Sequence, residues 1–237
     1  MKNKILAQSI HTGDYGWHLG RFHFPYADYE DPENGPFGVL QALNDFELDP
    51  STGFETHPHD EMEIISYCVE GSLEHVDNMG NKNTLRRGDV QYLCAGSGVT
   101  HSEKNAAVDG SLRFLQIWIT PNKEGLSPLY YSKEVSKSGL KNELQLVVSG
   151  EAIDSVIKIQ QDANMYVAEL DKHKQITIAN RERRQAYLLC VEGSLADSGV
   201  ELIRGDALKL WGREVLTFTA LEKSHILMIE MAMEDTL

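Results

Sequence analysis

A six-residue string that occurs twice restricts this chain more than any other feature. Cys68-Val69-Glu70-Gly71-Ser72-Leu73 returns letter for letter as Cys190-Val191-Glu192-Gly193-Ser194-Leu195, 122 residues later. Arg87-Gly88-Asp89 returns in the same order as Arg204-Gly205-Asp206, 117 residues later, so the second copy has a hairpin five residues shorter. Two elements matching in order argue for duplication of one structural unit. Around both copies short apolar runs alternate with Gly, Ser and charged turns, and helix is scarce. Each unit therefore reads as a small β-barrel, and the class as all-β.

With 237 residues there is ample core for two such units. One long strand is expected over 54–69, with His57, His59, Glu61, Glu63, Ile65, Tyr67 and Val69 on one face. Shorter strands are expected at 73–76, 90–93, 144–149, 165–170, 186–191 and 226–231, and a partly helical stretch at 130–139. The first barrel is assigned to residues 1–125, and a linker with the second barrel to 126–237. The passage between them falls somewhere in 120–143.

The chemistry lies in residues 57–103. His57-Pro58-His59 and His101-Ser102-Glu103 each place two ligand-type side chains at strand spacing, and alternate residues on a strand share a face. Two such pairs on neighbouring strands would bring three imidazoles and one carboxylate around a point. An open nitrogen and oxygen shell of that kind suits Fe(II), Mn(II), Ni(II), Cu(II) or Zn(II). Strand parity admits Glu63 as well as Glu103, so parity alone leaves the acidic ligand open. The repeat offsets carry positions 57 and 59 onto Ala179 and Arg181, and 101 and 103 onto Phe218 and Ala220. One barrel is thus expected to bind metal and the other to support it. His11, His18, His23 and His75 have no partner at ligand spacing and read as surface or outlying residues; His173 and His225 read as structural.

Residues 57–103 resemble the pirins, iron-binding members of the cupin superfamily. Gly35-Pro36-Phe37-Gly38, Asn44-Asp45-Phe46 and Phe114-Leu115-Gln116-Ile117-Trp118 fit the same family. The resemblance is dense over residues 16–121 and implies two tandem cupin barrels (double-stranded β-helix, or jelly-roll). It implies one divalent ion, Fe(II) first with Mn, Ni, Cu or Zn as substitutes, on His57, His59, His101 and Glu103. It favours Glu103 over Glu63, which becomes a neighbour of the ligands or a substitute for one. The implied activity is quercetin 2,3-dioxygenase: opening of the central ring of a flavonol with O2 and release of carbon monoxide, Glu103 acting as catalytic base. Phe114, Gln116 and Trp118 share a strand face and line either the pocket or the core.

The family also implies a competing reading, an iron-dependent regulator that binds a protein partner. A third is a cupin acting on another small molecule. Asp60-Glu61 stand where pirins often carry Arg, which makes the entrance more acidic and less suited to an anionic substrate.

Composition narrows the partners. Acidic residues number 36 against 22 basic ones, a formal charge of −14, which repels phosphate backbones and argues against nucleic acid. No apolar run approaches the roughly 18 residues of a membrane span, and the start lacks the apolar core of a signal peptide. Three cysteines without metal-type spacing fit neither a disulfide scaffold nor structural zinc, so a reduced cytoplasm is expected.

Overall fold

The computed structural model describes residues 1–27, 29–135, 140–197 and 199–233, and nearly all of its regular structure is strand. The chain divides into two units, His11–Val135 with Ile159–Gln161, and Met1–Ile10 with Ser136–Lys158 and Asp162–Leu237. Each is a seven-stranded sheet facing a four-stranded one, the two-layer solution for sheets with one apolar face.

In the N-terminal unit the larger sheet runs, edge to edge, through Leu129–Lys133, Val90–Cys94, Glu63–Glu70, Leu112–Ile119, Leu40–Leu48, His18–Phe22 and His11–Asp14. The smaller runs through Gly53–His59, Val99–Asn105, Ser72–Asp77 and Lys82–Arg86. Burial alternates strictly along Val99–Asn105 and Ser72–Asp77, so Val99, His101, Glu103 and Asn105 face the interior, as do Leu73, His75 and Asp77. Phe22, Phe46, Leu48, Cys68, Leu73, Leu85, Leu112 and Phe114 form one apolar cluster of that interior.

The C-terminal unit repeats the order: Lys2–Ile5, Ala207–Trp211, Arg184–Glu192, Ser224–Ala232, Ala163–Leu170, Gln145–Ser149 and Ile157–Lys158 in one sheet. Gln175–Asn180, Glu214–Ala220, Ser194–Asp197 and Val200–Ile203 make the other. The division differs from a single cut after residue 125. Lys2–Ile5 pairs with Ala207–Trp211, which puts the first ten residues in the C-terminal unit. Leu129–Lys133 pairs with Val90–Cys94, which keeps that segment in the N-terminal one. The expected helix at 130–139 is therefore strand over its first part; residues 136–139 lie outside those described.

The repeated string has the same physical job in both units. Gly71 and Gly193 turn at φ of 85° and 76°, and a β-carbon on either would strike backbone of the next strand, so only glycine fits. The thiol of Cys68 points at the carbonyls of Glu70 and Gly71 at 3.7 and 3.8 Å, and that of Cys190 at Glu192 and Gly193 at 3.6 and 3.5 Å. The second element locks onto the first. Gly88 N–H donates to Cys68 O at 2.9 Å, and Gly205 N–H to Cys190 O at 2.8 Å. All three cysteines are buried and none forms a disulfide, and burial pushes the Cys68 thiol up to about 12.

Strand pairing also corrects the correspondence between the units. His101 lies opposite His57, and Glu103 opposite His75; Leu216 lies opposite Ile178, and Asn105 and Ala220 occupy matching places against Leu73 and Leu195. The counterparts of His57, His59, His101 and Glu103 are thus Ile178, Asn180, Leu216 and Phe218, not Ala179, Arg181, Phe218 and Ala220. The shift arises because the offset changes within each copy, from 122 at the glycine turn to 115 at Asn105 and Ala220. Ile178, Leu216 and Phe218 belong to a buried apolar cluster with Leu188, Cys190 and Leu195. Hydrocarbon stands in the second barrel at three of these four positions, and Asn180 keeps the fourth polar.

Candidate metal centre

The strand Gly53–His59 is an edge strand, where a proline at position 58 removes no ladder hydrogen bond, and it carries a bulge opposite Ser102. A β-carbon on Gly53 would sit 2.5 Å from Glu103 O, so this strand lies tight against the one carrying His101 and Glu103. The result is a set of three imidazoles, His57, His59 and His101, whose nearest ring nitrogens all lie within 4.8 Å of one another.

Their protonation suits a metal. His57 Nδ1 lies 2.7 Å from Glu55 O; a carbonyl only accepts, so Nδ1 carries the proton and Nε2 the lone pair. Nε2 of His59 and of His101 are buried with no hydrogen-bond partner. A buried polar atom without a partner is costly, and two on rings whose centroids lie 5.0 Å apart fit a ligand that supplies the missing partner. Burial, then the neighbouring imidazoles, hold His59 at about 4 and His101 at about 3. Both are neutral near pH 7, as ligation requires.

Those shifts carry a linkage. In the unfolded chain an imidazole titrates near 6.5, so below that pH the unfolded state takes up protons the folded one refuses. The stability is complete above about pH 6.5 and is lost as the pH falls toward 4 for His59 and 3 for His101. In chelator-treated protein, His101→Asn is expected to lose roughly 2 kcal/mol less than wild type between pH 7 and 4.5. Urea unfolding at the two pH values checks it, and equal losses in the two proteins would contradict the assignment.

Glu103 is fully buried and accepts from Ser66 Oγ at 2.7 Å, Gln91 Nε2 at 3.0 Å and Gln116 Nε2 at 2.5 Å. Three donors leave one of a carboxylate's roughly four lone-pair directions open. Its oxygen falls in a second close set with His75 and His101, again within 4.8 Å. His101 belongs to both sets. Trp118 N–H donates to Gln116 Oε1 at 3.0 Å, which turns the Gln116 amide nitrogen toward Glu103, and the Trp118 ring packs edge-on at 5.1 Å from His59. Of the three residues expected on one face, Gln116 and Trp118 reach the site, while Phe114 is core.

Glu63 is elsewhere. The expected strand 54–69 breaks after His59, and Glu61 sits at φ 43°, so the parity that grouped Glu63 with the histidines is reset. Glu63 is buried and accepts from Tyr92 OH at 2.5 Å and from Gln160 N and Gln161 N at 2.7 and 2.8 Å. It anchors residues 159–161. The acidic entrance also shrinks: the Glu61 carboxylate takes the Gly125 N–H at 3.0 Å, and Asp60 alone of the pair lines a cleft of about 380 Å³ with Pro58, His59, Asn78, Gly98, Val99 and Thr100.

His75 is the residue that sequence reasoning misplaced. It is fully buried, stacked at 4.5 Å on Tyr130, with Nδ1 3.5 Å from His101 Nδ1. The signal was present, since Leu73 belongs to the repeated core string and His75 shares its face. His23 is buried as well, and so is His225, whose Nδ1 lies 3.4 Å from Glu192. Among the described residues both close ligand sets lie in the N-terminal unit, and no helix is long and apolar enough to cross a membrane.

Comparison with known proteins agrees with this architecture. The Pirin family model matches residues 5–119, and a model described as the quercetinase C-terminal cupin domain matches 146–231. A pirin-like protein of Caulobacter vibrioides is 37% identical over 92% of this chain and 94% of that protein. A quercetin 2,3-dioxygenase of Escherichia coli is 34% identical over 92% and 93%. The nickel(II) complex of the E. coli bacterial pirin YhhW superposes with a TM-score of 0.91 at 31% identity, covering 99% of this chain and 100% of that one. Two cupin barrels, a shared family model and relatives above 30% identity along nine-tenths of the chain make this protein a member of the pirin family.

Proposed function

We propose that this pirin is a metal-dependent quercetin 2,3-dioxygenase, with one divalent ion, Fe(II) in first place, on His57, His59, His101 and Glu103. The observation that carries the reading is the pair of buried, unpartnered Nε2 atoms on His59 and His101 beside a third imidazole of fixed tautomer. Names carried by relatives of matching length supply the reaction class. When bound, the ion supplies Lewis acidity and a common point for flavonol and O2. In this reading Glu103, with one lone pair left over from Ser66, Gln91 and Gln116, would have to leave the ion to take the proton of the flavonol hydroxyl, and those three donors keep the carboxylate aimed. Trp118, packed beside His59, gives a planar aromatic substrate a surface to stack on next to the cleft. The cleft volume falls within the range of small-molecule sites.

The test is oxygen uptake with quercetin, on protein stripped of metal and reloaded separately with Fe(II), Mn(II), Ni(II) or Cu(II), with His57→Ala alongside. Uptake with at least one metal, absent in the variant, is the expected result. Silence with every metal, in protein that binds one tightly, would overturn the dioxygenase reading.

A further inference from the structure

A proton count around His75 fixes more than the ligand set itself. Asp77 Oδ1 accepts the Met79 and Asn81 N–H groups, each at 2.9 Å, and Asp77 Oδ2 accepts Asn81 Nδ2 at 2.8 Å. The hairpin turn that follows the strand thus pins this carboxylate. Burial works to raise the Asp77 pKa, but the hydrogen bonds from Asn81 and from the His75 ring outweigh it and hold it below the usual carboxylate range. His75 Nε2 lies 3.3 Å from Asp77 Oδ2. A carboxylate only accepts, so His75 Nε2 carries a proton; in the neutral ring the lone pair is then at Nδ1, where the Gln91 amide nitrogen, a donor, faces it.

Two groups face that lone pair at 3.5 Å, His101 Nδ1 and Gln91 Nε2. Gln91 has two amide hydrogens and two nearer acceptors, Glu103 Oε1 at 3.0 Å and Ser66 Oγ at 3.2 Å. Tyr130 OH on Gln91 Oε1 at 3.1 Å keeps the amide turned that way, and the Tyr130 ring stacked at 15° to His75 keeps the imidazole plane set. The hydrogen left for His75 Nδ1 is the one on His101 Nδ1. That leaves the His101 lone pair on Nε2, the buried atom without a partner.

We infer that Asp77 and His75 form a positioning pair that holds His101 in its Nδ1–H tautomer, so that Nε2 is presented to the metal. The inference rests on the metal-site reading above for its purpose, but the tautomer stands on the protein alone. The device is the one by which metal-ligating histidines are commonly oriented, through a hydrogen bond at the second ring nitrogen. Here it runs through another imidazole to a carboxylate fixed by a surface turn. His57 reaches the same tautomer more simply, through the backbone carbonyl of Glu55.

The test has two readouts. Long-range proton–nitrogen correlation spectra of the metal-free protein, labelled at histidine nitrogen, report which ring nitrogen of His101 is protonated. Wild type is expected to show Nδ1–H, and His75→Leu, which removes the acceptor, a mixture or Nε2–H. Ni(II) titration is the second. Affinity is expected to fall roughly 10- to 100-fold in His75→Leu and to return to within a few-fold of wild type in His75→Asn, whose Oδ1 can accept from His101. Nε2–H in wild type would overturn the inference, as would unchanged tautomer and affinity in His75→Leu. So would two bound Ni(II) per wild-type chain, one of them lost with His75, because His75 would then be a ligand. Should His75→Leu not fold, the wild-type spectrum and His75→Asn decide. Absence of Ni(II) binding by wild type would remove the metal reading and leave the tautomer measurement standing.

Discussion

Replacing His101 by alanine is expected to reduce Ni(II) affinity on the order of 10³-fold and flavonol-dependent oxygen uptake to background. The size follows from its position. His101 is the residue common to the His57–His59 set and the His75–Glu103 set, and it is 1% exposed. Losing a group that merely orients a ligand typically costs 10- to 100-fold; removing a residue that belongs to both close sets exceeds that. The check is competition against a chromophoric chelator at pH 7.5. Affinity within about threefold of wild type would mean that the three-histidine set does not hold the ion.

The second large effect concerns stability. Arg113 and Asp45 form a two-pronged ion pair, Nε to Oδ1 at 2.9 Å and Nη2 to Oδ2 at 2.7 Å, with both side chains buried on neighbouring strands of the larger N-terminal sheet. Asp45→Ala is expected to destabilise the protein by about 3–5 kcal/mol, because it leaves a guanidinium buried without its carboxylate. Glu47, 4.0 Å from Arg113 Nε, places the loss toward the lower end. The pair itself contributes far less than the cost of breaking it. Replacing both members, Asp45→Leu with Arg113→Met, is therefore expected to recover most of the loss. Urea unfolding of the two single variants and the double one decides. A double variant no better than Asp45→Ala would contradict the explanation.

Local chemistry made much of this legible. The glycine turns at Gly71 and Gly193 read directly because each needs positive φ and a bare α-carbon against backbone, so the same letters stand at both places. His57-Pro58-His59 and His101-Ser102-Glu103 read because strand parity needs nothing but spacing. Parity failed where the strand did. Glu61 at φ 43° interrupts the run, and Glu63, on the far side of that break, holds backbone amides of residues 160 and 161 instead of facing the histidines. Counterparts in the second copy were displaced because constant offsets ignore differing connection lengths, which pairing registers alone reveal. His75 was hidden differently. A histidine without a partner at ligand spacing looks like a surface residue, and its partners, Asp77, Gln91, His101 and Tyr130, arrive from three other places in the chain as well as its own strand.

The second barrel, with Ile178, Leu216 and Phe218 where the first has His57, His101 and Glu103, gives the molecule an internal reference. The same topology is built once around imidazoles and once around hydrocarbon. A ligand that binds the folded form alone adds its binding free energy to folding, and that addition enters one copy only. Chelators act on the same copy, since the ligand-type groups they compete for have Ile178, Leu216 and Phe218 among their counterparts in the twin. In hydrogen exchange at fixed pH, the protection of the slowest amides of Val99–Asn105 should respond to metal, and that of the matching strand Glu214–Ala220 should not. Duplication has separated, within one chain, the part whose stability is a function of its surroundings from the part whose stability is set by packing.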